Sequence, residues 1–223
     1  MPVVRKASAA RSGPVAAMVY RINHAGRVHV GIEYAEADGS RIFAHMRWHH
    51  ALEFGGSELA THWVEPTIDP DALEDVRTFL ARLRRCQVAG GVPFGLAIKN
   101  ARFGKKGTLL LGQASGLNCS TFVILAFEAA GCTVIQSASW DERDARRVTE
   151  DEGVQGALVE MLRETEMLRE TDPPAADRVA KEVGCTRFRP EEIAAATGMA
   201  VPVAFVDAAP AGIIVLRALR IVQ

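Results

Sequence analysis

Apolar and polar positions change period several times along the chain. Residues 18–22, 27–34 and 41–48 are apolar, β-branched stretches of strand length. The turn cluster Asn23-His24-Ala25-Gly26 separates the first two, and Glu36-Ala37-Asp38-Gly39-Ser40 separates the second from the third, which predicts a three-stranded antiparallel meander. Asp69-Pro70-Asp71 then supplies a helix start. Asp69 can cap, Pro70 suits the first helical position, and the acidic pair favours the positive end of the dipole. Leu73, Val76, Phe79, Leu80 and Leu83 keep helical spacing until Gly90-Gly91. Residues 109–111 are a short apolar piece between glycines. Asn118 stands before the run 119–127, which predicts a buried helix beginning at Cys119 and closed by Gly131.

Beyond residue 140 the composition shifts. Half of residues 141–172 are charged, yet Val154, Leu158, Met161, Leu162, Thr165 and Leu168 hold a narrow apolar stripe, predicting a solvated amphipathic helix. Pro173-Pro174 ends it. Shorter helices are expected from Ala175 and from Pro190-Glu191-Glu192, followed by two strand-like runs, 201–206 and 212–219. The organisation read from this pattern is a flexible leader (1–13), a core (14–140), and a mostly helical extension with terminal strands (141–223) that is either separate or integral to the same domain.

The chain has 223 residues, 48% of them hydrophobic and 24% charged, enough for one full domain with an appendage. The formal charge of −1 argues against a nucleic-acid partner, which would need a surplus of cations to meet phosphates. No stretch approaches the roughly 20 apolar residues of a membrane span. Arg11, Gly13, Pro14 and Arg21 interrupt any hydrophobic signal region, so the expected location is the cytoplasm, or export without a cleaved signal peptide.

Cys86, Cys119, Cys132 and Cys185 form no C-x-x-C pair, so neither a zinc knuckle nor a redox pair is expected. Only Cys119 sits where a helix begins, where exposed N–H groups and the dipole favour a thiolate. The loop before it, residues 112–118, is rich in small residues, and the backbone N–H groups of Cys119 or Ser120 are placed to hold an oxyanion.

A nucleophilic thiol needs a base. His29, Gly31 and Glu33 share one face of their strand, and Phe43, His45 and Arg47 share one face of theirs. A two-residue Asp38-Gly39 loop would put His29 and His45 on opposite sides of the sheet. A type I turn with a glycine bulge over Ala37-Asp38-Gly39 would instead set Gly31 opposite His45 and Arg47 opposite His29, leaving the histidines diagonal neighbours about 7–8 Å apart at the backbone. His24, His49, His50 and His62 read as strand or edge residues.

The residues His-Val-Gly-Ile-Glu-Tyr (29–34), a turn with Asp-Gly, Ile-Phe-Ala-His (42–45) and Asn-Cys-Ser-Thr-Phe-Val (118–123) together resemble the circularly permuted papain-like proteins, which include the lecithin retinol acyltransferase group and relatives of the NlpC-type peptidases. The resemblance covers residues 18–131. It implies an α+β fold with a papain-like, permuted NlpC-type core, an antiparallel sheet packed on the cysteine-bearing helix. It also implies His29 as base, His45 as its orienting partner and Cys119 as nucleophile. The small residue after the cysteine leans towards the peptidases, the acyltransferases tending to carry Asn-Cys-Glu.

The function expected is therefore a cysteine-dependent hydrolase, an amidase or peptidase acting through an acyl-enzyme, with cell-wall peptides one substrate class and no cofactor or metal. An acyltransferase or thioesterase, and an inactive binding module, are the alternatives. Glu33, Arg47 and Trp48 are candidates to tune the imidazole or touch a peptide or acyl substrate, and residues 141–172 a candidate surface for a protein partner. A metal site from His45, His49 and His50 lacks an H-E-x-x-H motif. A phosphate loop at Gly104-Lys105-Lys106-Gly107 lacks the G-x-x-x-x-G-K-[ST] spacing.

Overall fold

Three adjacent antiparallel strands, β2 (Val15–Arg21), β3 (Val28–Ala35) and β4 (Arg41–Trp48), realise the meander that the alternation predicts. A computed structural model describes residues 1–10, 13–21, 27–56, 60–86, 91–104, 106–165 and 170–222; Ile22, the turn 23–26 and Leu168 lie outside them. Val30, Ile32 and Tyr34 are buried in the main core with Val15, Ala17, Val19, Ala44 and Met46, which is what a period of two delivers when one face of a sheet is covered. Two further strands follow, β5 (Ala51–Gly55) and β6 (His62–Val64). The sheet is completed by β1 (Val4–Lys6), giving the order β1-β6-β2-β3-β4-β5, every pairing antiparallel.

Strand β1 corrects the expectation of a flexible leader. Its backbone pairs with β6, Ala7 donates to the Thr61 carbonyl at 2.8 Å, and Arg5 is bridged to Glu65 at 2.8 Å. A short polar strand has no hydrophobic period to betray it; the free edge of β6 supplies its partners.

Of the two possible turns between β3 and β4, the molecule uses the bulged one. Glu36 N–H donates to Ser40 O (2.8 Å), Gly39 N–H donates to Glu36 O (3.0 Å), and Gly39 has φ +82°. Ile32 consequently faces Ala44 and Glu33 faces Phe43.

Helix α1 (Pro70–Cys86) starts as predicted, with the Asp69 carboxylate accepting from Asp71 N–H at 3.0 Å. Residues 87–90 lie outside the description. In a small hairpin, β7 (Arg102–Phe103) and β8 (Leu109–Leu110), Gly104 N–H donates to Thr108 O and Gly107 N–H to Gly104 O; Lys105 is not described. Helix α2 (Cys119–Ala129) runs through the core. Phe122, Val123, Ile124, Leu125 and Phe127 are all buried, at about 1.5–3 kcal/mol each.

After a 3-10 turn (Ser137–Glu142) come α3 (Ala145–Glu164), α4 (Ala175–Ala180), α5 (Pro190–Thr197) and α6 (Phe205–Ala218). Helix α6 overturns the expected terminal strands. The runs 201–206 and 212–219 are apolar enough for either element, but Ala208, Ala211, Gly212 and Val215 are the buried positions of α6, a spacing of three and four that only a helix presents to one neighbour. Of the first run, Val203 makes only an isolated bridge to Ile135.

The expected boundary near Trp140 falls in packed core. Trp140 is fully buried against Phe188 and Phe205, and Ile193, Ala194 and Val215 share one apolar cluster with α2 and the sheet. The buried face of α3 is turned from the expected stripe: Asp151, Gln155, Val159 and Leu162 are buried while Met161 is exposed, and Val159 and Leu162 pack with Phe94, Leu96, Ala176 and Val179 within the chain. Among the described residues, no helix is long and apolar enough to cross a membrane.

Candidate functional site

Residues 117–121 place Cys119 by a reciprocal cap. The Asn118 side-chain oxygen accepts from the N–H groups of Ser120 (3.0 Å) and Thr121 (3.1 Å), and the Asn118 N–H donates to Thr121 Oγ1 (2.8 Å). The loop leading to it is held from two sides. Leu117 bridges Phe94, and the backbones at Gly95 and Gly116 approach so closely that a Cβ on Gly116 would lie 2.0 Å from Pro93 O. Glu182, buried just after α4, accepts from Leu96 N–H (2.7 Å), Ala97 N–H (3.2 Å) and Ser115 N–H (2.6 Å). An extension carboxylate thus ties together the loops around the cysteine.

The cap revises one expectation. Of the two N–H groups proposed to hold an oxyanion, that of Ser120 is already donated to Asn118; the N–H of Cys119 is the one that remains for it.

His29 on β3 and His45 on β4 meet as the bulged turn requires. His29 Nε2 and His45 Nδ1 are 3.0 Å apart with the rings edge to face, and both side chains are buried. Gly31 makes room between them: a Cβ there would come within 2.5 Å of the Phe43 ring and 2.7 Å of His45 Cβ. Phe43 stacks on His45 at 4.5 Å. Behind His45, Glu53 of β5 sits directly across the strand pair, its Oε2 3.6 Å from His45 Nε2. Glu53 also holds Arg47 at 3.1 Å. Sequence reasoning missed Glu53 because β5 carries little alternation and the strand pairing that brings it to His45 is tertiary.

Cys119 and His29 line one cleft of about 490 Å³. Burial raises the Cys119 thiol above its ordinary range, opposed by the Val30 N–H, Ser120 and the charge of Arg187. Burial, with help from His45, pushes His29 down to about 3, and burial also lowers His45 against the pull of Glu53. At neutral pH the cysteine is a thiol and both imidazoles are neutral.

The remaining candidates divide. Arg47 and Trp48 line the cleft, Trp48 tilted on Phe94 at 5.0 Å. Glu33 does not: it is fully buried and paired with Arg41 at 3.1 Å, which also reaches the Gly13 carbonyl. Same-face membership with His29 put Glu33 on the correct side of the sheet, but the strand carries it away from the cleft. The other cleft wall comes from the extension, through Gln155 and Leu158 of α3, Arg187, Phe188 and Leu216.

Cys86 is exposed and Cys132 buried behind α2, neither in this cleft. His49, His50 and Asp172 form a group with metal-like proximity. His49 Nδ1 accepts from Phe94 N–H (3.1 Å), so its proton belongs on Nε2, which donates to Asp172 (3.2 Å); Arg178 also claims Asp172. Both ring nitrogens of His49 are thereby engaged, and His45 has no part in the group. His24 lies outside the described residues.

No protein-family model, curated protein or solved structure matches the chain.

Proposed function

We propose that the protein is a cysteine-dependent acyl hydrolase, an amidase or peptidase with a papain-like, permuted NlpC-type core, in which Cys119, His29 and His45 act together. The observation that carries the reading is the His29 Nε2 to His45 Nδ1 contact at 3.0 Å, in the wall of the cleft that receives Cys119 at the start of α2.

In this reading His29 Nε2–H donates to His45 Nδ1, and His45 Nε2 faces Glu53. With Nε2–H of His29 donated to His45, Nδ1 is the nitrogen that takes the thiol proton. The thiolate sulfur attacks the scissile carbonyl carbon, and the Cys119 N–H at the helix start receives the developing oxyanion. The imidazolium returns its proton to the leaving amine, alcohol or thiol, leaving a thioester on Cys119. Water then attacks that thioester, giving its proton to His29; the C–S bond breaks, the acid departs, and the imidazolium returns the proton to the Cys119 sulfur. The positive charge on His29 is borne transiently and shared through His45 towards Glu53, so His45 and Glu53 are positioning residues. A neutral thiol–imidazole pair at rest means the proton moves as substrate arrives.

The thioesterase or acyltransferase alternative draws support from the cleft walls, where Met46, Trp48, Phe94, Leu158, Phe188 and Leu216 give an apolar lining suited to an acyl chain.

The test is acyl transfer from p-nitrophenyl butyrate, with the modified residue found by peptide mass mapping. A butyryl group on Cys119, formed at least about 100-fold more slowly in His29→Gln as for loss of a general base, supports the reading. Absence of acylation at Cys119, or equal acylation of exposed Cys86, leaves a binding module as the better description.

A further inference from the structure

Asp151 on α3 is almost completely buried and gathers a set of guanidinium groups. Arg143 reaches it at 2.7 Å, Arg189 at 2.9 Å, Arg187 at 3.0 Å and Arg147 at 3.5 Å. Glu150 pairs with Arg189 at 3.1 Å and with Arg146 at 3.0 Å, and Glu192 pairs with Arg147, so five guanidiniums share three carboxylates. A buried carboxylate surrounded in this way holds its arginines in fixed places.

Four arginines line the cleft, and they are not equivalent. Arg47 is committed to Glu53, and Arg189 to Asp151 and Glu150. Arg27, on the sheet side, meets the Met161 sulfur at 3.2 Å, which does not neutralise it. Arg187 lines the cleft with its side chain 23% exposed, its one hydrogen bond among the described residues runs from Nη1 to Asp151, and its charge favours the Cys119 thiolate. Of the two carboxylates that line the cleft, Glu150 is held by Arg146 and Arg189, and Glu191 makes no ion pair with Arg187 among the described residues.

We propose that Arg187 is the anchor for a carboxylate on the substrate, so that the cleft takes an acyl compound whose apolar part lies along Trp48, Phe94 and Leu158 and whose anionic end lies near the scissile carbonyl. This rests on the acyl-hydrolase reading and narrows its substrate class. A guanidinium fixed at one nitrogen by a buried aspartate presents its other N–H groups without losing side-chain freedom on binding, which is the arrangement that recognises a carboxylate by two parallel bonds.

The experiment is a binding measurement that needs no turnover. N-octanoylglycine, neutral N-octanoylglycinamide and the cationic mono-octanoyl amide of ethylenediamine are titrated calorimetrically into Cys119→Ala protein. The carboxylate compound is expected to bind about tenfold tighter than the amide, falling to parity in Arg187→Gln and recovering in part in Arg187→Lys. Parity among the three in unmodified Arg187 protein, preference for the amine, absence of binding by all three, or a preference that survives Arg187→Gln would each overturn it. If Arg187→Gln does not fold, Arg187→Lys carries the comparison, where the carboxylate preference should weaken and an unchanged preference overturns the assignment. Failure here with normal butyryl transfer to Cys119 would remove the carboxylate anchor and leave the hydrolase; loss of butyryl transfer with the preference intact would do the reverse.

Discussion

Replacing Glu182 tests whether the extension shapes the loop before Cys119 or merely lies beside it. The carboxylate is buried, one oxygen accepting from Leu96 and Ala97 N–H and the other from Ser115 N–H. In Glu182→Gln one acceptor becomes an NH2 group facing a backbone donor, so at least one buried N–H loses its partner, at about 1–3 kcal/mol. In Glu182→Ala all three do, and with some relief from entering water the cost is about 3–6 kcal/mol. At roughly 2–4 °C per kcal/mol for a chain of this size, the glutamine variant should melt about 2–12 °C lower. Calorimetry measures the first effect, and the butyryl-transfer rate at Cys119 measures the second, expected to fall as the loop relaxes. Melting within a degree of the parent, with unchanged acylation, would refute the account of Glu182 as the clamp.

Three further outcomes are expected. Gly31→Ala should cost about 1–3 kcal/mol by overpacking against Phe43 and His45 and should depress acyl transfer as well, read by urea unfolding and by the butyrate assay. Because His29 stays neutral in the fold until about pH 3 while an unfolded histidine takes its proton near 6.5, the unfolded chain binds more protons between those values. Stability therefore drops as pH falls through that window, by about 4 kcal/mol at pH 3 from this group, and His29→Phe should flatten that slope in pH-dependent urea titrations. Asp151→Asn should destabilise by about 3–5 kcal/mol, because Arg143, Arg187 and Arg189 lose their shared buried partner; equilibrium unfolding checks it.

Much of the site could be read along the chain because its signals are local. Asp69-Pro70 begins a helix wherever it falls, and Asn118 caps with groups no more than three residues away, so the position of Cys119 at a helix start followed from short-range chemistry. The meander likewise followed from a period of two. Glu33, Ser120 and α6 went differently. Glu33 shares a face with His29 but is taken up by Arg41, the Ser120 N–H is drawn into the cap, and the apolar run 212–219 became helical because its neighbours cover one stripe of it.

By itself, the sequence determined which segments alternate, where helices start, and which histidines and cysteine are available, since those depend on side chains within one turn of the backbone. Whether His29 and His45 meet hung on a single residue of register, and the bulge at Gly39 decided it. The cross-strand Glu53, the Glu182 clamp and the arginines gathered by Asp151 come from residues distant in the chain, so only the packing of the extension against the sheet could bring them to the cleft.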